Sequence, residues 1–312
     1  MLQVVNLASP SLSGLHSAQG HIDDSPKGSN QMILSRFLPN MDTRRHRIKK
    51  YLAKGCQPWS LGYLEYRDSF IEEIFSSERM ALFYSGLKLP EGFGLRLDER
   101  VVEYPWVLSR LGIGDRLLLD AGSTLNHQYI LDLDILACRR IVIYTLSTEQ
   151  VISRANVSYI YGDLRSTILK SECFDEIICI STLEHIGMNN TLLYSKDACY
   201  NEQKNDDYLS ALKEFKRLLK PSGKLLITVP YGQYENHGWL QQFDERMIDK
   251  IIEELACSLS KIVYYRYLPG GWQIAEKADC SECSYYNIHN RSNFDPDYAA
   301  AARAVACLEI IK

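Results

Sequence analysis

The fold is decided by residues 117–127, which read LLLDAGSTLNH. A short apolar run ends here in an acidic residue and a glycine, and a helix-capable segment follows. In an open α/β sheet, this pattern at the carboxyl end of the first strand marks the usual ligand crevice. Gly122 allows a tight turn and a close backbone approach to a ligand, and Asn126 is predicted to cap the next helix. Asp120-Ala121-Gly122 by itself fits a plain strand-to-helix turn equally well.

Outward from this stretch, short apolar runs alternate with helix-capable segments. The runs are 117–119, 141–144, 159–161, 177–180, 225–229, 262–267 and 305–311. Helical segments separate the first five, which predicts βαβ units and a mostly parallel sheet of seven strands. The helix before the fifth run should end at the turn signal of residues 220–223. The last two runs flank a Gly-rich and polar stretch, 268–298, which we interpret as a loop joining an antiparallel pair at the end of the sheet.

The N-terminal third of the chain has a different pattern. Residues 1–43 are rich in Ser, Gly, Asn, Asp and Pro, which predicts a flexible tail. Residues 44–112 are predicted to form a helical extension, because apolar side chains from about residue 59 fall on one helix face. Pro105 predicts a break or kink in that extension. Residues 113–312 then form the sheet-bearing domain.

Composition narrows the function. The chain has 312 residues, a formal net charge of −4, 46% hydrophobic and 24% charged residues, which is average for a globular protein. A global basic field of the kind that holds nucleic acid is excluded. No apolar run approaches the length of a membrane span, and the start lacks the pattern of a signal or transit peptide. Nine cysteines are ordinary usage. We therefore expect a cytoplasmic protein.

Two further strand ends carry residues that can do chemistry. Gly162-Asp163 follows the third run, and its carboxylate can accept a hydrogen bond from an exocyclic amine. The fourth run ends in a polar cluster, Ser181 to His185. A histidine titrates near neutral pH, so His185 can act as a general base. The alternative is that Glu184 and His185 only cap a short helix.

From about residue 116 to 230 the sequence resembles the class I S-adenosylmethionine-dependent methyltransferases, in the small-molecule, type 11-like branch that acts on quinones, sugars and other metabolites. The motifs occur in order: Asp120-x-Gly122, Gly162-Asp163, Phe174-Asp175 to Leu183-Glu184-His185-Ile186, and Leu218-Leu219-Lys220-Pro221-Ser222-Gly223-Lys224-Leu225. The resemblance implies a Rossmann-like sheet of seven mostly parallel strands with the last strand antiparallel. It also implies S-adenosylmethionine as the cofactor.

The resemblance also assigns site residues by position. Those implied to bind the cofactor are Asp120, Ala121, Gly122, Ser123, Thr145, Asp163, Leu164 and Ser181. Within this set, Asp120 and Gly122 would lie beside the methionine moiety, Asp163 would face the adenine amine, and Ser181 would lie near the sulfonium.

The substrate side is implied to carry the catalytic residues Glu184 and His185. Tyr231, at the end of the fifth strand, could contact the substrate or could pack in the core. A polar insertion from Gly187 to about Asp206 could hang over the site or form an ordinary surface loop. Gly270-Gly271-Trp272 is interpreted as a loop, which could form a lid on the substrate side.

Two departures from the family pattern matter. The loop after the first strand keeps only one glycine. The second strand ends in Thr145, where the family usually has an acidic residue that grips both ribose hydroxyls. Thr145 could make one such bond, or Glu149 could reach in from the next turn. These departures keep open a second interpretation, a catalytically silent methyltransferase-fold protein that only binds.

We expect methyl transfer to a small-molecule acceptor, with oxygen as the favoured atom and no metal required. A sulfonium is already a strong methyl donor, so such a protein mainly aligns donor and nucleophile and excludes water. A nicotinamide oxidoreductase is disfavoured because the full G-x-G-x-x-G motif is missing. A nucleic-acid partner is disfavoured by the acidic charge balance. The single C-x-x-C at Cys280 and Cys283, with His289, is weak evidence for zinc.

Overall fold

The structure is a computed structural model that describes residues 39–194, 197–256, 258–291 and 293–312. Most of the predicted tail, residues 1–43, lies outside the described residues. The helices are α1 (Pro39–Ala53), α2 (Tyr63–Phe75), α3 (Met80–Ser85), α4 (Arg100–Leu108), α5 (Gln128–Leu131), α6 (Asp134–Ala137), α7 (Tyr208–Leu218), α8 (Glu245–Leu255) and α9 (Lys277–Cys280). The strands are β1 (Leu117–Ala121), β2 (Arg140–Thr145), β3 (Val157–Tyr161), β4 (Phe174–Ile180), β5 (Leu219–Pro230), β6 (Glu235–Asn236), β7 (Gln241–Gln242), β8 (Ser258–Leu268), β9 (Gly271–Ala275) and β10 (Ala304–Ile311).

A mixed eight-stranded sheet forms the centre of the molecule, in the order β3-β2-β1-β4-β5-β10-β8-β9. Strands β1 to β5 are parallel to one another. Strand β10 runs antiparallel between β5 and β8. The predicted Rossmann-like sheet with an antiparallel last strand is confirmed, and each of the seven predicted runs lies within a strand. The predicted number of strands is wrong, because β9 adds an eighth.

Strand β9 lies in the stretch 268–298 that the sequence indicated as a loop. Gly271 has φ +96° and a side chain there would lie 2.4 Å from the carbonyl oxygen of Phe93, so only glycine fits this turn. Trp272 is fully buried, and its indole Nε1 donates to the carbonyl of Leu97 at 3.0 Å. A buried tryptophan with a satisfied indole stabilises the strand. Residues 270–272 therefore fix the sheet edge to the helical extension instead of forming a lid.

The helical extension packs against one face of the sheet. Buried residues of α2 and α4, such as Ile71 and Trp106, share a core with Ile178 of β4. Helix α4 runs through Pro105, so the predicted break there is wrong. An internal proline costs about 3 kcal/mol, but every residue of α4 is buried, and that packing offsets the cost. Residues 86–99, predicted as helix, form turns instead.

The opposite face of the sheet carries α7 and α8, whose apolar residues pack against the strands in a second core. Helix α7 ends at Leu218, just before the predicted stop signal, and β5 begins at once. Helix α8 is capped by Asp244, the residue before its first turn, whose side chain accepts from the amide of Met247 at 3.0 Å. Among the described helices, none has the length and apolar character needed to span a bilayer.

Candidate active site

The carboxyl ends of the parallel strands lie along one edge of the sheet, since Asp120 pairs in register with both Ile143 and Ile178. Two cavities lie at this edge. The larger, of about 340 Å³, has walls that include Arg67, Arg100, Tyr104, Ser123, His127 and Glu149. The smaller, of about 50 Å³, has walls that include Gly122, Asp163, Leu164, Arg165, His185 and Tyr194.

The turn after β1 is held tightly between its neighbours. Gly122 has φ +118°, and its amide donates to the carbonyl of Tyr144 at 2.9 Å. A Cβ atom at this position would lie 2.1 Å from Oγ1 of Thr182. The turn therefore needs glycine for its conformation and for its close approach to the segment after β4.

Asp120 organises this turn from inside. Its fully buried carboxylate accepts hydrogen bonds from the amide of Leu125 at 2.7 Å and from the Oγ1 and amide of Thr124 at 3.0 and 3.2 Å. Burial raises the pKa of Asp120, and these hydrogen bonds oppose the rise. Asp120 is not among the residues that line either cavity, and Ala121 lies in the core. The Asp120 side chain therefore holds the turn from inside, and its contact with the methionine moiety stays a prediction.

The prediction that Asn126 caps the helix after β1 is wrong. His127 occupies the capping position of α5. The Asn126 amide donates to the carbonyl of Gln150 at 2.8 Å, and its oxygen accepts from the hydroxyl of Tyr159 at 2.7 Å. The Asn126 side chain therefore connects the loop after β1 with the loop after β2. The sequence pattern alone does not indicate this contact.

Of the two candidate ribose-binding residues, Glu149 lies at a cavity and Thr145 does not. Thr145 is buried at the end of β2. Ser123 donates a short hydrogen bond to the Glu149 carboxylate, which lines the larger cavity. Burial raises the pKa of Glu149, against the lowering effect of hydrogen bonds from Ser123 and Asn126. An acidic group thus lies beside the β1 turn, although it comes from the loop and not from the strand.

Asp163 lines the smaller cavity but is already engaged by a cation. Its carboxylate accepts from Arg165 Nη2 at 2.6 Å and from Nε at 3.0 Å. Burial by itself raises the pKa of Asp163, but the Arg165 contacts outweigh it and hold the pKa below its usual range. Arg165 also bonds to Glu202 at 3.0 Å and to Asp207 at 2.5 Å. The polar insertion, which contains Glu202, is therefore held against the end of β3 by Arg165. This contact limits the size of the smaller cavity.

The sequence analysis missed one acidic residue, Glu103. It is fully buried on α4 and accepts from Ser181 Oγ at 2.6 Å and from Thr228 Oγ1 at 2.7 Å. Arg100 donates a short hydrogen bond to its second oxygen. The helical extension therefore places a carboxylate at the ends of β4 and β5. The available signal was a pair of charges, Arg100 and Glu103, inside an otherwise apolar run.

Glu184 and His185 lie in a short 3-10 helix, Leu183–His185, directly after β4. Nδ1 of His185 lies 2.9 Å from the carbonyl oxygen of Trp239, which can only accept, so Nδ1 carries the proton. Burial lowers the pKa of His185 to about 3, so the ring is neutral at pH 7. Its Nε2 is buried without a hydrogen-bond partner among the described residues and lies 4.0 Å from Glu184 Oε1.

Glu184 is the more basic of the two groups. Burial raises its pKa to about 8, and its Oε2 has no partner within the described part of the chain. The pair therefore combines a neutral histidine, with a fixed tautomer, and a carboxyl group that titrates slightly above neutral pH. At pH 7 most of this carboxyl group is protonated, and only the ionised fraction can accept a proton.

The Glu184→Gln variant is expected to be more stable than the wild type at alkaline pH. An unfolded glutamate ionises near pH 4.3, whereas folded Glu184 holds its proton up to about pH 8. The folded state thus binds more protons between these values, and wild-type stability falls as pH rises through this window. The advantage of the variant should grow by up to about 1.4 kcal/mol per pH unit. Urea unfolding at pH 5 and pH 8 measures it, and equal differences at both values would contradict the assignment.

Two other candidates lie away from the cavities. Tyr231 is buried in the core, with its ring 4.8 Å from that of Tyr264, so the structure shows the packing alternative. Cys280 and Cys283 are buried as free thiols. In the described ranges, no group of three or more His, Cys, Asp and Glu side chains is arranged to hold a metal.

The strand order, the glycine turn after β1 and the ionisable cluster after β4 together define a class I methyltransferase fold. A family model described as a methyltransferase domain matches residues 119–227, from within β1 to within β5. Over these residues the chain is similar to methyltransferase domains, which supports its assignment as a class I S-adenosylmethionine-dependent methyltransferase. No curated protein matches the sequence.

Several solved structures resemble the chain. The [4+2]-cyclase SpnF is 16% identical, with 78% of this chain and 95% of that chain covered and a TM-score of 0.44. A SAM-dependent methyltransferase from Aquifex aeolicus is 13% identical, with 78% and 97% covered and a TM-score of 0.41. The 1,6-didemethyltoxoflavin-N1-methyltransferase of Burkholderia thailandensis is 13% identical, with 93% of each chain covered and a TM-score of 0.39. Similarity at this level transfers neither an activity nor a ligand.

Proposed function

We propose that the protein transfers a methyl group from S-adenosylmethionine to an oxygen atom of a small metabolite. The observation that carries the proposal is the methyltransferase-domain match over residues 119–227, whose strand ends form the candidate site. The larger cavity, of about 340 Å³, falls within the roughly 300–1,000 Å³ typical of small-molecule sites.

The residues around the β1 turn fit the cofactor. Gly122 lines the smaller cavity, and Ser123 and Glu149 line the larger one. Glu149 would hold ribose hydroxyls in place of the strand-end acid that Thr145 replaces. Leu164 and Asp163 would contact the adenine, which requires Arg165 to release part of its hold on Asp163.

The bound cofactor supplies an activated methyl group, and the protein orients the acceptor and removes its proton. Ser181 and Glu103 place polar groups at the end of β4, where a positive sulfur would be stabilised. The free Nε2 of His185 accepts a hydrogen bond from the acceptor hydroxyl and orients it. Glu184, with a pKa of about 8, is the stronger base of the pair and receives the proton when it is in its ionised form, which predominates above about pH 8.

Calorimetric titration with S-adenosylmethionine tests cofactor binding. Glu149→Ala is expected to weaken binding by about 10–100-fold, because it removes hydrogen bonds from a charged group worth about 1.5–3 kcal/mol. The matched control is Glu245→Ala, since the Glu245 side chain is 59% exposed and pairs with Lys277 on the surface. An absence of binding by the wild type at about 1 mM cofactor would reject the proposal.

A second candidate is a catalytically silent protein of the same fold that binds a metabolite or a partner. The engagement of Asp163 by Arg165 and the narrow smaller cavity favour it. Transfer of a labelled methyl group to any acceptor in a screen of small hydroxyl compounds distinguishes the two. Binding without transfer supports the silent protein.

A further inference from the structure

Behind the strand ends, the extension and the 3-10 helix bring together more acidic than basic groups. Asp98, Glu99, Glu103 and Glu184 are all buried. Arg67 pairs with Asp98 at 2.8 Å, and Arg100 pairs with Glu103. Within the described residues, neither Glu99 nor Glu184 makes an ion pair with a lysine or an arginine. Burial raises the pKa of each to about 8.

Unpartnered polar atoms lie beside this excess of carboxyl groups. Besides Glu184 Oε2, the buried Nε2 of His185 and Nε1 of Trp239 have no hydrogen-bond partner in the described part of the protein. A buried polar atom without a partner costs about 1–3 kcal/mol. Since His185 Nε2 lies 4.0 Å from Glu184 Oε1, one ligand could provide partners for both side chains.

Aromatic rings pack beside His185, whose Nε2 lies 4.0 Å from Glu184 Oε1. The Trp239 ring centroid lies 5.3 Å from that of His185 and 6.4 Å from that of Tyr285, and the planes of Trp239 and Tyr285 meet at 73°. Burial raises the pKa of Tyr285, and the charges of Glu99 and Glu184 add to the rise. Two aromatic rings at nearly a right angle, packed next to the His185–Glu184 pair, provide surroundings that an ammonium group prefers.

We propose that Glu184, Trp239 and Tyr285 form a subsite for a basic amine carried by the methyl acceptor. The inference rests on the proposed function only in assigning the amine to the acceptor. A bound ammonium group would pair with the ionised form of Glu184 and so favour the loss of its proton. A neutral acceptor offers no counter-ion, so Glu184 would stay protonated beside it.

The subsite is continuous with the site of methyl transfer. His185 lines the smaller cavity and lies 4.0 Å from Glu184, so it connects the two. On the other side, Arg100 and Ser181 both donate hydrogen bonds to Glu103. Ser181, at the end of β4, is thereby connected to the buried carboxyl groups. The amine therefore fixes one end of the acceptor and leaves the neighbouring hydroxyl near the end of β4.

The test uses pairs of compounds that differ in one group: benzylamine with benzyl alcohol, and tyramine with tyrosol. Each is titrated calorimetrically into the full chain, with and without S-adenosylhomocysteine. Each amine is expected to bind at least about tenfold more tightly than its alcohol, which corresponds to about 1.4 kcal/mol. Glu184→Gln should remove this preference, and the surface variant Glu245→Gln should keep it.

Equal affinity for amine and alcohol, no binding of either amine, or an unchanged preference in Glu184→Gln would each overturn the inference. Assays of labelled methyl transfer on the same compounds separate it from the proposed function. An amine preference with no cofactor binding and no transfer rejects the proposed function alone. Transfer to the alcohols, with no preference for the amines, rejects the amine subsite alone.

Discussion

Glu103→Ala is expected to destabilise the protein by about 3–5 kcal/mol. The substitution removes the carboxylate that accepts from Ser181 and Thr228 and leaves Arg100 as a buried cation without its partner. Breaking one side of a buried ion pair costs more than the pair itself contributes, because the remaining charge keeps its desolvation penalty. Unfolding in urea, followed by circular dichroism, measures the loss.

The matched control for Glu103→Ala is Glu73→Ala. Glu73 also pairs with an arginine, Arg79, at 3.2 Å, but the two side chains are 58% and 42% exposed. Exposed pairs contribute about 0–1 kcal/mol, so the control should stay close to the wild type. A loss below about 1 kcal/mol for Glu103→Ala would show that the carboxylate is not buried as described.

Gly122→Ala is expected to weaken S-adenosylmethionine binding by at least about 100-fold, or about 2.7 kcal/mol. The new Cβ atom would meet Oγ1 of Thr182 at 2.1 Å, so the turn after β1 has to move away from the end of β4. The positive φ of +118° adds backbone strain for any residue with a side chain. Calorimetry on the folded variant measures the change in affinity.

Gly114→Ala separates the effect of contact from the effect of conformation. Gly114 has a similar φ of +104°, but an added Cβ atom would have nothing within 4 Å. This control should lose some stability and keep its affinity for the cofactor. If both variants bind the cofactor as the wild type does, the close approach of Gly122 to Thr182 is not part of the binding site.

The sheet was largely predictable from the sequence, because strands buried on both faces are nearly continuous apolar runs. Strand β9 was not predictable, since Gly271 at its start and Gln273 within it are more typical of a loop. Its stability comes from Trp272, which shares a buried core with residues of the extension and whose Nε1 donates to the carbonyl of Leu97, 175 positions earlier in the chain. No local pattern contains that contact.

The site was predictable at the level of strand ends but not of side-chain direction. The sequence placed Asp120, Asp163 and His185 at neighbouring strand ends, and the register of β1 with β2 and β4 agrees. Whether a carboxylate faces a cavity depends on competing donors. The amides of the turn engage Asp120, and Arg165 engages Asp163. Glu103 was missed because it is 78 residues from Ser181, the strand-end residue that it accepts from.

The attachment of the extension to β9 has a consequence for self-association. The outward amide of Trp272 donates to the carbonyl of Phe93 at 2.8 Å, and the carbonyl of Gly270 accepts from the amide of Gly92 at 2.8 Å. Unpaired backbone groups on an outer strand are a template on which another chain can add a strand. Residues 92–93 occupy that position, so the extension that supplies Glu103 from α4 also protects the far border of the sheet from edge-to-edge aggregation, through its turn segment.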